Sequence, residues 1–281
     1  MRKAYVKNNQ IALYGIMLRE VLIMYIIISV SIIVSAYMIY NQIENMSRIY
    51  SCALDGIVVW CTSSMLNLGL LPVIISVFLH MHYDIYMRNV CVIKQKSRTG
   101  MWFNEQKLSL IICSVAFTWS MILSFVLAYI MNKGNIYANV SDDLFFTNTY
   151  YGIMLSQCTD IQAGQETLIP AINIVWVIIR VWLINMLQLY MVVMAADVIY
   201  WLSGKRLFST IILSAMCMIT AIFPKSRRYA YVLGIKVKAY SYYLEVLNIN
   251  VWLKHIFIML IIILLTNVVM SFVVKNKDMV M

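Results

Sequence analysis

The chain has 281 residues, of which 63% are hydrophobic and only 12% charged, with nine Gly and three Pro. A soluble domain runs at about 45–50% apolar and about 25% charged, so this composition excludes one and points to an integral membrane protein. The net charge of +10 would suit nucleic acid if it were gathered in a separate basic domain. Here the basic residues flank apolar runs instead, as they do on the inner side of membrane proteins.

Residues 1–20, "MRKAYVKNNQIALYGIMLRE", are too polar to cross a bilayer and lack an apolar core followed by a small-residue cleavage site, so no removable signal peptide is expected. Ile11, Leu13, Tyr14, Met17 and Leu18 recur at helical spacing among Arg2, Lys3, Lys7 and Arg19. That pattern predicts a helix lying in the membrane interface, its basic groups near anionic headgroups. The first span is Val21–Tyr40, "VLIMYIIISVSIIVSAYMIY", with no charge. The second lies within Gly56–Tyr83, with its core near Thr62–His82, and Gly69 and Pro72 predict a kink. A polar connection, His80–Lys107, leads to the third span, Leu108–Met131.

The connection from 132 to 168 is acidic, with Asp142, Asp143, Asp160 and Glu166 against Lys133. The fourth span starts at Pro170, a residue suited to a first helical turn, and ends near Tyr200. The fifth, Leu207–Pro224, is short for a span, and the sixth is Val251–Val274. The expected fold is therefore all-α, with six transmembrane helices in one domain and both termini on the same side. Placing the termini in the cytoplasm puts Arg2, Lys3, Lys7, Arg19, Arg88, Lys94, Lys96, Arg98, Lys107, Lys205, Arg206, Lys275 and Lys277 inside. Against that rule, Lys225, Arg227, Arg228, Lys236 and Lys238 crowd into the last outer connection. A segment with a use for positive charge is one explanation.

The segment 86–107 carries "IKQKSRTGMWFNEQK", in which Gly100 is expected to end a short helix and Trp102 and Phe103 to sit at interface depth. A short basic helix held beneath the membrane by two spans makes a lever for transmitting force. Arg180, in "INIVWVIIRVWLINMLQLY", is the costly residue, since a charge near mid-bilayer costs at least about 2.5–3.5 kcal/mol. Asn173, Arg180 and Gln188 fall within one arc of that helix, with Asn185 further round. This reads as a cavity wall or a subunit contact. No Asp or Glu is expected in a span core to neutralise Arg180. Its counter-ion would come from an acid of a partner subunit, an outer-loop carboxylate, or an anionic substrate or lipid phosphate.

Catalytic patterns are weak. There is no G-x-x-x-x-G-K-[ST], which excludes ATP hydrolysis by this chain. "LSGKR" (Leu202–Arg206) lacks the second glycine of an ABC signature. "HMHYD" sets His80 and Asp84 on one helical face with His82 turned away, a poor metal site. Neither H-E-x-x-H nor an intramembrane acid pair is evident. Ser29, Ser31, Ser35, Ser120, Ser124 and Ser214 lack an obvious His or Lys partner. The six cysteines show no C-x-x-C. Cys91, Cys113 and Cys217 read as packing residues, and whether Cys52, Cys61 or Cys158 pair is left open.

The arrangement of an interfacial helix, six spans, a basic connection "KSRTGMWFNEQKL" between spans two and three, and an amphipathic outer segment over 225–250 resembles the permease subunit of a type-2 ABC exporter. The resemblance rests on layout over essentially the whole chain. It implies that 86–107 contains a cytoplasmic coupling helix, with Lys94, Lys96, Ser97, Arg98 and Trp102 as contacts for a separate ABC ATPase that carries the ATP and Mg. It also implies a second permease subunit, identical or related, and short re-entrant helices in the last outer loop, where "YAYVLGIKVKAYSYYLEVLN" lies. Spans one, two and five would line the dimer seam. The resemblance makes the chain a non-enzymatic, multi-pass component of the cell membrane that holds no cofactor of its own. Its 21 Met and 19 Tyr suit an adaptable amphipathic peptide, drug or lipid-like substrate. Two other classes compete: an immunity or receptor-like membrane protein acting without an ATPase, and an intramembrane enzyme built on His80, His82 and Asp84.

Overall fold

A computed structural model describes residues 19–38, 53–61, 65–88, 98–131, 174–222, 229–232, 235–238 and 249–276. Six helices, a pair of π-helical segments and one small β-ribbon make up the described chain. Helix α1 is Arg19–Met38. A short turn at Ala53–Asp55 runs into the first π-helical segment, Gly56–Trp60, and a second spans Met65–Leu70. Helices α2 (Leu71–Arg88), α3 (Arg98–Met131), α4 (Ile174–Ser203) and α5 (Arg206–Ile222) follow, then strands β1 (Tyr229–Val232) and β2 (Ile235–Lys238), and finally α6 (Ile249–Asn276).

Four of these helices, α1, α3, α4 and α6, are long and apolar enough to cross a membrane. Among the described residues α2 contributes a shorter apolar helix, Leu71–Tyr83. Of the interfacial helix expected over 1–20, residues 1–18 lie outside the described residues, as do 89–97 of the connection before α3, while Arg19 and Glu20 belong to α1.

Helix α4 is the hub. Every residue from Ile184 to Asp197 is buried, and α2, α3, α5 and α6 all pack against it. A helix apolar on all sides belongs at the centre of a bundle. By contrast, α1 buries Met24, Ile28, Ile32 and Ala36, one residue per turn, and exposes Ile26, Val30, Ile33 and Tyr37. On α6 the exposed set includes Phe257, Leu264, Leu265, Val269 and Phe272. Such one-sided apolar exposure suits helices that face lipid.

The kink expected at Gly69 and Pro72 takes the form of the second π-helical segment, which gives way to α2 just before the proline. Pro72 has no N–H for the α ladder, and its own carbonyl accepts from Ser76 Oγ at 2.6 Å. Between α4 and α5 the chain turns within two residues. Gly204 adopts φ +68° and its N–H closes on the Tyr200 carbonyl at 2.8 Å, a left-handed helix cap that glycine takes without steric cost. Ser209 Oγ then donates to the Ala196 carbonyl at 2.7 Å, pinning α5 to α4.

Two expectations are corrected, and the question left open for Cys61 is answered. Gly100 does not end a helix: α3 starts at Arg98 and runs unbroken through it to Met131. Met101, Trp102, Glu105 and Gln106 form a buried face there, and that packing outweighs the roughly 1 kcal/mol cost of a helical glycine. Of the outer segment expected over 225–250 as re-entrant or amphipathic, the described residues 229–232 and 235–238 are not helical but form an antiparallel ribbon that pairs Tyr229 with Lys238 and Val232 with Ile235. Only Leu233 and Gly234 separate the strands, a two-residue glycine-containing connection of the kind that makes hairpins. Cys61, one of the three cysteines considered for pairing, is a buried free thiol whose Sγ bonds the Ile57 carbonyl.

Gly56 marks the closest helix approach. A Cβ there would meet the Ser124 backbone oxygen and lie 2.8 Å from Ala128 Cβ. Because the obstacle is backbone, it cannot rotate away. Gly56→Ala is expected to lower stability by about 1–3 kcal/mol, read as a lower unfolding midpoint in detergent.

Candidate functional site

The polar residues of the chain gather where α2, α3 and α4 meet. Asp197 of α4 is fully buried and accepts from three directions. His80 Nε2 on α2 donates to Oδ1 at 3.1 Å; Gln106 Nε2 and Ser109 Oγ on α3 donate to Oδ2 at 3.2 and 3.0 Å. A carboxylate is acceptor-only and offers about four lone-pair positions, so three donors come close to satisfying it. Ser109 commits its proton to Asp197, which makes Tyr83 the donor toward Ser109, at 2.9 Å. The Glu105 carbonyl, 3.2 Å from the Tyr83 hydroxyl, shares that proton. Tyr190 OH donates to Gln106 Oε1 at 3.1 Å. The His80 ring stacks on Tyr200, centroids 4.5 Å apart, and its Nδ1 is buried with no hydrogen-bond partner among the described residues.

One turn toward the start of α3 lies a second group. Trp102 is fully buried, meets Trp201 edge to face at 6.1 Å and donates its indole N–H to Asn267 Oδ1 of α6 at 2.9 Å. Asn267 Nδ2 in turn bonds the Ile263 carbonyl at 2.9 Å. The Trp201 indole donates to the Glu105 carboxyl group. The first three turns of α3 are therefore bonded to α2, α4 and α6 at once.

This chemistry is that of a joint. In a nucleophilic triad the imidazole stands between hydroxyl and carboxylate; here the carboxylate stands between Ser109 and His80. Both residues are spent on Asp197, and no side chain of the group is exposed. Among the described residues no set of three metal-ligating side chains converges. The side chain of Asp84, which the sequence paired with His80, lies outside the described residues. The acid that His80 does meet is Asp197.

The other residues singled out from the sequence disperse. Lys94, Lys96, Ser97 and Asn173 lie outside the described residues. Arg98 is the first residue of α3 and is exposed. Trp102 is interior, so its indole presents no surface to a partner. Gln188 is buried within α4. Asn185, also buried, accepts from Asn67 Nδ2 at 2.8 Å, tying the second π-helical segment to α4. Arg180 is corrected in depth. Its guanidinium lies 5.9 Å from the Trp252 ring, and the Trp252 indole N–H donates to the Arg180 carbonyl at 3.2 Å. Trp252 belongs to the first turn of α6, so Arg180 sits at the end of the bundle and not at its middle. The cost assigned to a central charge falls accordingly.

Asp197, three residues before the expected end of the fourth span, is an acid that the sequence reading did not single out, and it is fully buried. Its signal was present: one acid in the run "MVVMAADVIYWL", which by default marks a functional or structural polar site. Its partners are 88 to 117 residues away along the chain, a relation no local spacing reveals.

Removing one member of a buried pair strands the other. Asp197→Ala is expected to cost about 3–5 kcal/mol. The His80→Ala/Asp197→Ala double variant should cost clearly less than the two singles together, which a double-mutant cycle on unfolding free energies measures. Trp102→Phe removes the bond to Asn267 and leaves a gap where part of a fully buried ring packed, and should cost about 2–4 kcal/mol, read from the same unfolding measurements.

No family model, curated protein or solved structure is significantly similar to the chain.

Proposed function

We propose that the chain is the transmembrane permease subunit of an ATP-driven exporter of the type-2 ABC kind, working with a separate ATPase and a second permease subunit. The observation that carries the reading is α3. Its 34 residues extend about 51 Å at 1.5 Å per residue, against a hydrocarbon core of about 30 Å. The excess is long enough for Arg98–Lys107 to stand clear of the apolar region as one rigid piece with the span. Arg98 heads that piece and is exposed, in line with a docking role together with Lys94, Lys96 and Ser97. Trp102 acts from inside: with Glu105 and Gln106 it fixes the arm to α4 and α6.

In this reading the partner's ATP cycle pushes the start of α3. The push moves α2 and α4 with it through the joint around Asp197, and α6 through the Trp102–Asn267 bond, and not the first three spans alone. The remaining features belong to the same proposal: six crossings, with α2 continued from its π-helical segment and α5 as the shorter members; cytoplasmic termini in the cell membrane; and an amphipathic peptide, drug or lipid-like cargo. The chain performs no bond chemistry itself.

The test is affinity purification of the tagged chain from its native membrane under mild cross-linking. Co-purification of an ABC ATPase, lost on Lys94→Glu/Lys96→Glu/Arg98→Glu with the chain still in the membrane, supports the reading. Purification of the chain without any ATPase, or labelling that places Arg98 outside the cell, rejects it.

A further inference from the structure

The ribbon between α5 and α6 carries a segregation of chemistry that the permease reading does not use. In an antiparallel pair, directly opposed residues share a face and neighbours alternate. The register Tyr229–Lys238, Ala230–Val237, Tyr231–Lys236 and Val232–Ile235 therefore places Tyr229, Tyr231, Lys236 and Lys238 on one face. Ala230, Val232, Ile235 and Val237 take the other. One face is wholly tyrosine and lysine, and the opposite face wholly aliphatic.

Position adds to this. Strand β1 lies against α5. Only six residues separate it from the end of α5 at Ile222, and ten separate Lys238 from the start of α6 at Ile249. At no more than about 3.6 Å per residue, the ribbon's first residue, Tyr229, stays within about 25 Å of the end of α5. Lys225, Arg227 and Arg228 precede it in the sequence, so five basic residues fall within fourteen positions that hold no acid.

We propose that this ribbon is a membrane-surface element that binds the anionic headgroups of the leaflet in which α5 ends and α6 begins. Tyrosine and lysine are the residues that occupy headgroup depth, and lysines near an anionic surface are drawn to its phosphates. The aliphatic face takes the acyl-chain side, as the apolar side of an interfacial helix does. Two four-residue strands free in solution would hold a bilayer poorly. Tethering at both ends by helices fixed in the bundle keeps the ribbon at high effective concentration at the surface. The same arrangement accounts for the excess of basic residues in a connection that the inside-positive pattern would leave neutral. The inference depends on the chain spanning a membrane, not on its being a permease.

Hydrogen–deuterium exchange on the full-length chain in nanodiscs tests it. Discs of phosphatidylcholine alone are compared with discs in which about one third of the lipid is phosphatidylglycerol. Peptides covering 229–238 should exchange at least about fivefold more slowly in the anionic discs, the factor expected for one lysine held at the surface. The difference should vanish in Lys236→Gln/Lys238→Gln and shrink in about 0.5 M salt, and Lys236→Arg/Lys238→Arg should keep it. Unchanged exchange of α6 peptides shows that each variant is folded. Equal exchange in both discs overturns the inference. So does protection that survives the glutamine changes and is lost only in Ile235→Gln/Val237→Gln. Failure of the chain to enter nanodiscs at all removes the membrane reading on which the inference stands.

Discussion

A carboxylate enclosed by apolar helices is the constraint around which this bundle is arranged. Taking a charge out of water costs several kcal/mol even after relaxation, and Asp197 has no exposure at all. Its position is tolerable only where His80, Gln106 and Ser109 converge. Those donors come from two other helices, so the bond set fixes rotation as well as distance. Turning α4 by one residue, about 100°, would aim the carboxylate at a different neighbour and strand all three donors. Helices α2, α3 and α4 accordingly behave as one body.

The same logic extends along α3. Trp102 and Trp201 bury large rings against each other, and each spends its indole N–H on a partner from another helix. Buried tryptophans ordinarily need such a partner. Here the partners are Asn267 and Glu105, which brings α6 into the body formed around Asp197. At the opposite end α6 is held to α4 again, through Trp252 and Arg180. A helix with so little buried surface as α6 is located by these two polar attachments and by Met259, Met270 and Val274. Force applied at the start of α3 would thus reach α4 and α6 directly.

The π-helical segments belong to the same economy of close packing. At Gly56 the chain crosses α3 at a distance that a single methyl group would prevent. At the second segment Asn67 reaches across to Asn185. One crossing depends on the absence of a side chain, the other on an amide pair in an apolar setting. Both bring the region before α2 against α3 and α4, the helices that carry the buried acid.

Composition and run length determined, without a structure, that this chain is built of long apolar helices, and they located α1, α4 and α6 to within a few residues, whereas α3 begins ten residues before the span expected at Leu108. Hydrophobic burial is local enough for that: a run of about 20 apolar residues states its own preference. The alternation "YAYV…IKVK" around Leu233-Gly234 was equally local, and the resemblance to a helical loop displaced it. What only the tertiary structure decided is which polar residues meet. Asp197 appears in the sequence as one acid in an apolar run, Trp102 as an interfacial aromatic and Arg180 as a mid-membrane charge. Their meaning changed because His80, Asn267 and Trp252 arrive from distant parts of the chain. Hydrogen bonds between helices depend on the relative rotation and depth of both, and neither quantity is encoded in the spacing of residues along one.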